Sequence, residues 1–319
     1  MREYAFEVAL CAFLERETDW LVSRQLGGAV DDPGSRIVDV VGVVPGSEFD
    51  RRASITAETI PPLAIESDVG VGAPVRPERA FSCSTDVARR VADDAVDVGF
   101  FEADRRGGHR CVRRATRYPD DWFSRLVAIE NKPDLGSPGA LRTQLRTDVS
   151  LGLFDRVVLA TESYVTRAHL NRIPNEVGVW RFDPDEGARE IVREPQPLSV
   201  ATTGVELADA HPLRTDVAFV TPERKRRRRR RIAERAYGKG WRPSLPSCVH
   251  ATATTDGRPY CDQFDRVVDP GSDCGEACEA FTPAEPPELD RDALRDERTP
   301  WVRDPVGVTR RQTGLDRFS

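Results

Sequence analysis

An apolar segment that ends in two charged side chains is the part of this sequence best suited to chemistry. It runs Leu-Val-Ala-Ile-Glu-Asn-Lys from Leu126 to Lys132. Because side chains alternate across a strand, Glu130 and Lys132 are expected on one face and Asn131 on the other. Such a pair is either a solvated ion pair or part of a functional site. Lysine is scarce here, with Lys132, Lys225 and Lys239 the only lysines among 47 basic residues, which favours a functional site.

A second predicted strand, residues 36–44, carries one acid in an apolar setting. Asp39 stands among valines and an isoleucine in Arg-Ile-Val-Asp-Val-Val-Gly-Val-Val. An ionised side chain in an apolar strand costs several kcal/mol unless it is paired or bound to a metal ion. The sequence therefore predicts a cation beside Asp39.

The order of these features resembles the PD-(D/E)xK nuclease superfamily. An amphipathic helix is predicted over residues 2–16, followed by the strand with Asp39 and the strand with Glu130-x-Lys132. A helix over 141–154 that carries Gln144 and a strand over 156–161 come next. The resemblance implies an α/β fold of the restriction-endonuclease type, with a mixed central sheet flanked by helices. We assign residues 1–51 and 119–200 to this core.

The resemblance also implies a mechanism. Asp39 and Glu130 would hold Mg²⁺ or Mn²⁺ against a phosphodiester, and the ion would activate a water molecule. Lys132 would orient that water or stabilise the charge that develops on the phosphate.

Two further site residues follow from position within the resemblance. Glu7 on the first helix is a candidate member of the metal cluster, or else an ordinary exposed carboxylate. Gln144 is a candidate contact to the substrate strand, or else polar filler at the edge of the core. One branch of the superfamily has Gln-x-x-x-Tyr on this helix, whereas this chain has Asp148 at the last position, which argues against that branch.

Residues 52–118 form a predicted insertion. A helix over 87–96 and a hairpin over 98–114 that turns at Gly107-Gly108 resemble the second half of a winged-helix domain. Such a wing would lay arginines along a nucleic-acid backbone, namely Arg105, Arg106 and Arg110. The alternative is a loop with solvated arginines.

A basic run lies in the predicted linker and helix of residues 201–240. Thr221 and Pro222 are typical of a helix start, and every residue from Arg224 to Arg231 is basic. The run predicts contacts to nucleic acid, or alternatively pairing with acidic groups of its own protein or a partner. The predicted contact residues are Arg224, Lys225, Arg226, Arg227 and Arg228.

Four of the seven cysteines fall within residues 241–282. Cys248, Cys261, Cys274 and Cys278 lie in a segment with too few apolar residues for a core. This pattern predicts a small module held by structural Zn²⁺, with a 4Fe–4S cluster or unligated thiols as alternatives and His250 as a possible replacement ligand. Residues 283–319 are rich in Pro and charge and predict a disordered tail.

The composition narrows the class of protein. The net charge is −6 with 31% charged residues, and an acidic, lysine-poor chain resembles proteins of salt-adapted archaea. We expect a cytoplasmic protein without a membrane span or secretion leader. We predict a Mg²⁺-dependent nuclease of repair, recombination or defence that acts on DNA rather than RNA. The alternative is a non-catalytic nucleic-acid-binding or regulatory protein on the same scaffold.

Overall fold

The elements of the chain divide between two units. The computed structural model describes residues 2–30, 34–136, 139–210 and 215–305, with the backbone alone at 208–210 and 215. The first unit comprises the chain up to Pro45, Arg125–Ala236 and Gly240–Pro300. The second comprises Gly46–Ser124, Tyr237–Lys239 and the segment that begins at Trp301.

The helices and strands have the following bounds. The helices of the described residues are α1 Glu3–Glu17, α2 Phe49–Ala53, α3 Pro62–Glu66, α4 Pro77–Ala80, α5 Thr85–Asp97, α6 Leu141–Leu151, α7 Arg167–Leu170, α8 Pro222–Lys239 and α9 Arg291–Arg298. The strands are β1 Leu21–Gly27, β2 Ile37–Pro45, β3 Phe101–Arg106, β4 His109–Arg114, β5 Phe123–Asn131, β6 Arg156–Thr161, β7 Gly178–Asp183, β8 Ala188–Arg193, β9 Gly204–Ala210, β10 Thr215–Val220, β11 Ala251–Ala253, β12 Pro259–Cys261 and β13 Arg266–Val267.

A six-stranded mixed sheet forms the centre of the first unit. Its strand order is β1-β2-β5-β6-β7-β8. The β5–β6 and β6–β7 pairs are parallel, whereas β1–β2 and β7–β8 are antiparallel. The crossover from β5 to β6 contains α6, as parallel neighbours require. The predicted mixed α/β class with a mixed central sheet is confirmed.

Helix α1 is more deeply buried than its sequence predicts. Phe6, Leu10 and Leu14 pack with Val40, Ile129 and other sheet residues in one apolar cluster. Every residue from Phe6 to Glu15 is buried, so the helix is enclosed on more than the predicted apolar face. The helix therefore contains two buried acids, Glu7 and Glu15. Glu15 accepts hydrogen bonds from Trp241 and Arg242.

The β1–β2 hairpin contains a local distortion opposite Asp39. The register pairs Arg24 with Val40 and Leu26 with Val38, which places Gln25 across from Asp39. Gln25 has a φ of 54°, a conformation that a non-glycine residue adopts at an energetic cost. The strain therefore lies next to one of the predicted site residues.

The second unit contains the predicted insertion. Helix α5 and the antiparallel β3–β4 hairpin form as expected, with Gly107 and Gly108 at positive φ in the turn. Glycine is favoured in this turn because both positions are left-handed. The interior of the second unit includes Arg52, which stacks on Tyr237 and donates to backbone carbonyl groups.

The C-terminal region differs from the predicted tail. Residues 291–298 form α9, whose first turn is capped by the Asp290 side chain through the Ala293 N–H group. Arg295 of this helix is buried. Local capping and packing thus order a segment whose composition predicted disorder, and residues 306–319 lie outside the described residues.

Candidate functional site

The start of β2 and the end of β5 bring Asp39 to Glu130. The Asn131 N–H group donates a hydrogen bond of 2.9 Å to the Asp39 carboxylate. Asp39 and Glu130 are close enough for the charge of Glu130 to raise the pKa of Asp39. Two acids that are far apart in the sequence therefore lie near each other on the neighbouring strands β2 and β5.

Glu130 is buried and Asp39 is half-buried. Burial, followed by repulsion from Glu130, raises the pKa of Asp39 to about 7 even though the Asn131 N–H bond opposes the shift. Burial also raises the pKa of Glu130, which is 5% exposed, against the opposing charge of Arg36. Desolvation disfavours ionised carboxylates, so a cation between them would be stabilised.

One such cation is a buried guanidinium group. Arg36 Nη2 donates to Glu130 Oε2 at 2.6 Å and to Asp148 Oδ2 at 2.7 Å. Arg36 Nε adds a bond of 3.1 Å to the other Asp148 oxygen. Asp148 is 2% exposed, so these two hydrogen bonds from Arg36 replace water at its carboxylate. The Arg36–Glu130–Asp148 cluster therefore joins β2, β5 and α6.

Sequence reasoning assigned no role to Arg36 and treated Asp148 as a departure from a motif. One feature pointed to Asp148. It lies three residues after Leu145 and three before Leu151, and both of these are buried on α6. An acid at this spacing faces the core, so a basic partner was to be expected.

Glu7 is buried, 4% exposed, and accepts hydrogen bonds from three side chains. Arg24 Nε donates at 2.5 Å, Gln25 Nε2 at 3.0 Å and Asn131 Nδ2 at 2.7 Å. The exposed-carboxylate alternative for Glu7 is thus wrong. Glu7 ties α1 to β1 and to the end of β5.

The Asn131 side chain leaves one oxygen atom without a partner. Its Nδ2 group donates to Glu7, which fixes the orientation of the amide. Within the described part of the chain, its buried Oδ1 atom has no hydrogen-bond partner. Buried oxygens are nearly always satisfied by protein, water or an ion. The atom is therefore a buried acceptor that the described residues leave unsatisfied.

Lys132 lies one residue beyond β5, and its N–H group donates to the Ala160 carbonyl oxygen of β6 at 2.9 Å. Its Nζ atom is 3.6 Å from the Glu3 carboxylate of α1, and its side chain is 27% exposed. Glu130 bonds Arg36, and the charge of Glu3, the acid beside Lys132, also raises the pKa of Glu130. Glu3 therefore lies near both side chains, and the placement of Glu130 and Lys132 on one face stays a prediction. Gln144 is half-buried on α6, one turn before Asp148.

Ligand sets for metal ions are incomplete in the described residues, where no group of three or more His, Cys, Asp or Glu side chains is arranged to hold one. Mg²⁺ is commonly bound by one or two carboxylates, with water and substrate phosphate completing its shell. Asp39 and Glu130 meet that smaller requirement. The oxygen donors fit Mg²⁺ or Mn²⁺ in this limited sense.

The four cysteines of the C-terminal module line one small cavity together with His250. Its volume is about 20 Å³, room for about one water-sized atom. The thiols are free and half-buried. The donor set suits Zn²⁺, although the thiols would have to close on a common centre to bind it.

Much of the basic run anchors α8 to its own unit. Lys225 is fully buried and donates to the Ser199 and Thr202 carbonyl oxygens at 3.0 and 3.1 Å. Arg228 donates to the Gly27 carbonyl at 2.7 Å, and Arg229 bonds Asp155 at 2.7 Å. Arg229 therefore pairs with an acid of its own protein, as the alternative has it, whereas Lys225 and Arg228 bind backbone carbonyl groups. Among the predicted nucleic-acid contacts in this helix, Arg226 and Arg227 are exposed and Arg224 is half-buried.

The predicted wing arginines are exposed on the second unit. Arg110 pairs with Asp93, and Arg106 lies 3.7 Å from Asp104. Arg105 is also on the surface of the hairpin. A cleft of about 670 Å³ lies between α4, α5 and the hairpin tip, and it is lined by Arg76, Arg79, Arg89 and Arg110 as well as Glu78 and Asp93.

The fold and the site define a mixed α/β protein whose central sheet holds a desolvated pair of carboxylates beside a buried arginine. The chain belongs to a family of unknown function, DUF5787, whose model matches residues 21–283. The match extends from β1 through the cysteine cavity and leaves out α1. No curated protein and no solved structure matches the chain. Among the described residues, no helix has the length and apolar character needed to span a membrane.

Proposed function

We propose that this protein is a metal-dependent nuclease that hydrolyses phosphodiester bonds of DNA. The observation that carries the proposal is that Asp39 and Glu130 lie near each other on the neighbouring strands β2 and β5, where both are desolvated. A divalent cation would relieve their repulsion. The order of the elements around them, which resembles the PD-(D/E)xK superfamily, supports the same function.

Asp39 and Glu130 are the residues that would hold Mg²⁺ or Mn²⁺. When bound, such an ion neutralises charge on a phosphate group and lowers the pKa of a water molecule. Lys132 contributes a partly exposed ammonium group whose nearest acid, Glu3, is 3.6 Å away. That distance is long for a charge-assisted hydrogen bond, so Lys132 can turn towards water or a phosphate oxygen.

The surrounding side chains position these groups. Asp148 holds Arg36 by two hydrogen bonds, whereas Glu130 receives one. Arg36 can therefore stay on Asp148 while Glu130 turns to a metal ion. Glu7 fixes Asn131 and, through the N–H group of that residue, the carboxylate of Asp39.

One observation favours the alternative, a non-catalytic nucleic-acid-binding or regulatory protein. Arg36 already neutralises Glu130, so the buried site has a resident cation without any metal. Under this alternative the cluster would hold the fold together and nothing more.

The deciding experiment is incubation of the purified protein with labelled DNA and Mg²⁺ or Mn²⁺ over a range of salt concentrations. Lys132→Ala and Asp39→Asn are the test variants, and the exposed Asp185→Asn is the matched control. We expect cleavage by the wild type and by the control, and loss of most of the rate in both test variants. Equal cleavage by the wild type and Lys132→Ala, or no cleavage at any salt concentration, would reject the proposal.

We also propose that Cys248, Cys261, Cys274 and Cys278 bind a structural Zn²⁺ ion. The support is that all four cysteines line one small cavity, in a module whose strands are two or three residues long. Metal analysis should find Zn in the wild type and in Cys83→Ser, which changes an exposed cysteine outside the cavity. Cys261→Ser should lose it. Iron with visible absorbance would identify a cluster instead, and metal-free wild type would reject the site.

A further inference from the structure

A basic groove runs along α6 and α7 of the first unit. Two cavities of about 230 and 430 Å³ share Arg142, Arg172 and Ile173 as lining residues, so they form one continuous depression. We call it the α6–α7 groove. Its smaller part has an apolar wall made by Leu135, Leu141, Leu145 and Ile173.

The charge of the α6–α7 groove is opposite to that of the whole chain. Arg142, Arg146 and Arg172 line it together with His169, and all three arginines are exposed. None of the described residues that line the two cavities is acidic. The full chain has 53 acidic and 47 basic residues, so an acid-free surface of this kind is unusual for it. It favours an anionic ligand.

The groove begins at the segments that follow β5 and β6. Leu135 follows Lys132 by three residues, and Leu145 directly follows Gln144 on α6. The Leu135 N–H group donates to Ser163 Oγ at 3.1 Å, which ties the segment after β5 to the segment after β6. Because β5 and β6 are parallel, both segments lie at the same edge of the sheet. The next residue, Tyr164, is 75% exposed.

We infer that the α6–α7 groove binds single-stranded nucleic acid, with phosphates at the arginines and a base against the apolar wall. This inference rests on the proposed nuclease function and names the form of its substrate. A duplex keeps its bases stacked and paired, so it would not place one in an apolar pocket. A single strand exposes bases that bind apolar and aromatic side chains while arginines contact the backbone.

The test is fluorescence anisotropy with a labelled DNA single strand and with the matching blunt duplex, in EDTA so that no cleavage occurs. The Arg142→Ala/Arg172→Ala variant removes two of the cations from the shared part of the groove. Arg125→Ala is the matched control, because Arg125 is an exposed arginine near the opposite end of β5. Binding is measured over a series of salt concentrations.

We expect the wild type to bind the single strand more tightly than the duplex. The double variant should weaken single-strand binding by about ten-fold or more, and Arg125→Ala should not. For single strands, log K falls with log salt concentration by about 0.7 per phosphate contact. The slope of the double variant should therefore be shallower by about 1.4.

Unchanged binding by the double variant, or wild-type preference for the duplex, would overturn the inference. DNA cleavage by the wild type, lost in Lys132→Ala, would leave the nuclease proposal standing in that case. The opposite outcome also distinguishes the groove inference from the nuclease proposal. Single-strand binding through the groove without cleavage at any metal concentration would support the groove and reject the nuclease.

Discussion

Arg36→Met is the substitution that tests the buried cluster most severely. The side chain of Arg36 is 7% exposed, and its guanidinium group is bonded to two carboxylates that are almost fully buried. Methionine fills a similar volume without charge, so Glu130 and Asp148 would lose this cation. Removing one partner of a buried ion pair typically costs about 3–5 kcal/mol. That is a large share of the roughly 5–15 kcal/mol by which a folded domain is stable.

The pH dependence of this loss has a definite sign. Burial raises the pKa of both Asp148 and Glu130, and Arg36 opposes the shift in each case. Without Arg36 the two pKa values rise further above those of the unfolded chain. A raised folded-state pKa lowers stability as the pH increases through it. The loss should therefore be larger at about pH 8 than at about pH 5.

Chemical denaturation followed by circular dichroism at the two pH values measures both effects. The control is Arg16→Met, because Arg16 forms an exposed pair with Glu17 that should contribute less than about 1 kcal/mol. The Arg36→Met/Asp148→Asn double variant should recover part of the stability, because it also removes the Asp148 carboxylate that Arg36→Met leaves without a cation. If Arg36→Met costs no more than Arg16→Met, the cluster does not stabilise the fold in the way described.

Three further predictions follow from the same structure. Asp39→Asn should stabilise the metal-free protein more at about pH 8 than at about pH 5 in thermal denaturation, because burial and Glu130 raise the pKa of Asp39 to about 7. The destabilisation by this acid begins above its unfolded-state pKa of about 3.9 and grows until the pH passes about 7. Equal effects at both pH values would contradict it. Arg229→Met should lower the free energy of unfolding by about 2 kcal/mol, because it removes the bonds of Arg229 to Leu153 and Asp155. Substitution of an exposed arginine of the same helix, Arg227→Met, should not. Equal losses in the two variants would count against the anchoring of α8. The exposed ring of Tyr164 can stack on a base, so Tyr164→Ala should weaken single-strand binding by about 1 kcal/mol or more. The dependence of log K on log salt concentration should stay the same. Unchanged affinity would exclude the stacking contact.

Periodicity and composition were sufficient to predict many elements of the fold. Helix α1, β2, β5 and α6 follow from apolar spacing, and α8 begins at the predicted Thr221 cap. Strand β8 was missed because residues 188–193 are mostly charged and lack a clear apolar alternation. Its formation depends on pairing with β7, which is a tertiary effect.

The candidate site was partly predictable for a different reason. A lone acid in an apolar strand indicated that Asp39 needs a cation, and the resemblance linked it to Glu130. The hydrogen bonds of Arg36 to Glu130 and Asp148 could not be predicted from the sequence, because Arg36 is 94 positions from Glu130 and 112 from Asp148. Sequence order likewise does not reveal that Lys225 and Arg229 face the interior, since the basic run places charge on every side of α8.

The central claim is that Asp39 and Glu130 hold a divalent ion. Electron paramagnetic resonance of Mn²⁺ titrated into metal-free protein, with and without single-stranded DNA, tests it independently of cleavage. The account predicts a bound ion in the wild type and in Asp185→Asn, and its loss in Asp39→Asn. Bound Mn²⁺ that survives Asp39→Asn, or a wild type that binds none even with DNA present, would contradict the claim.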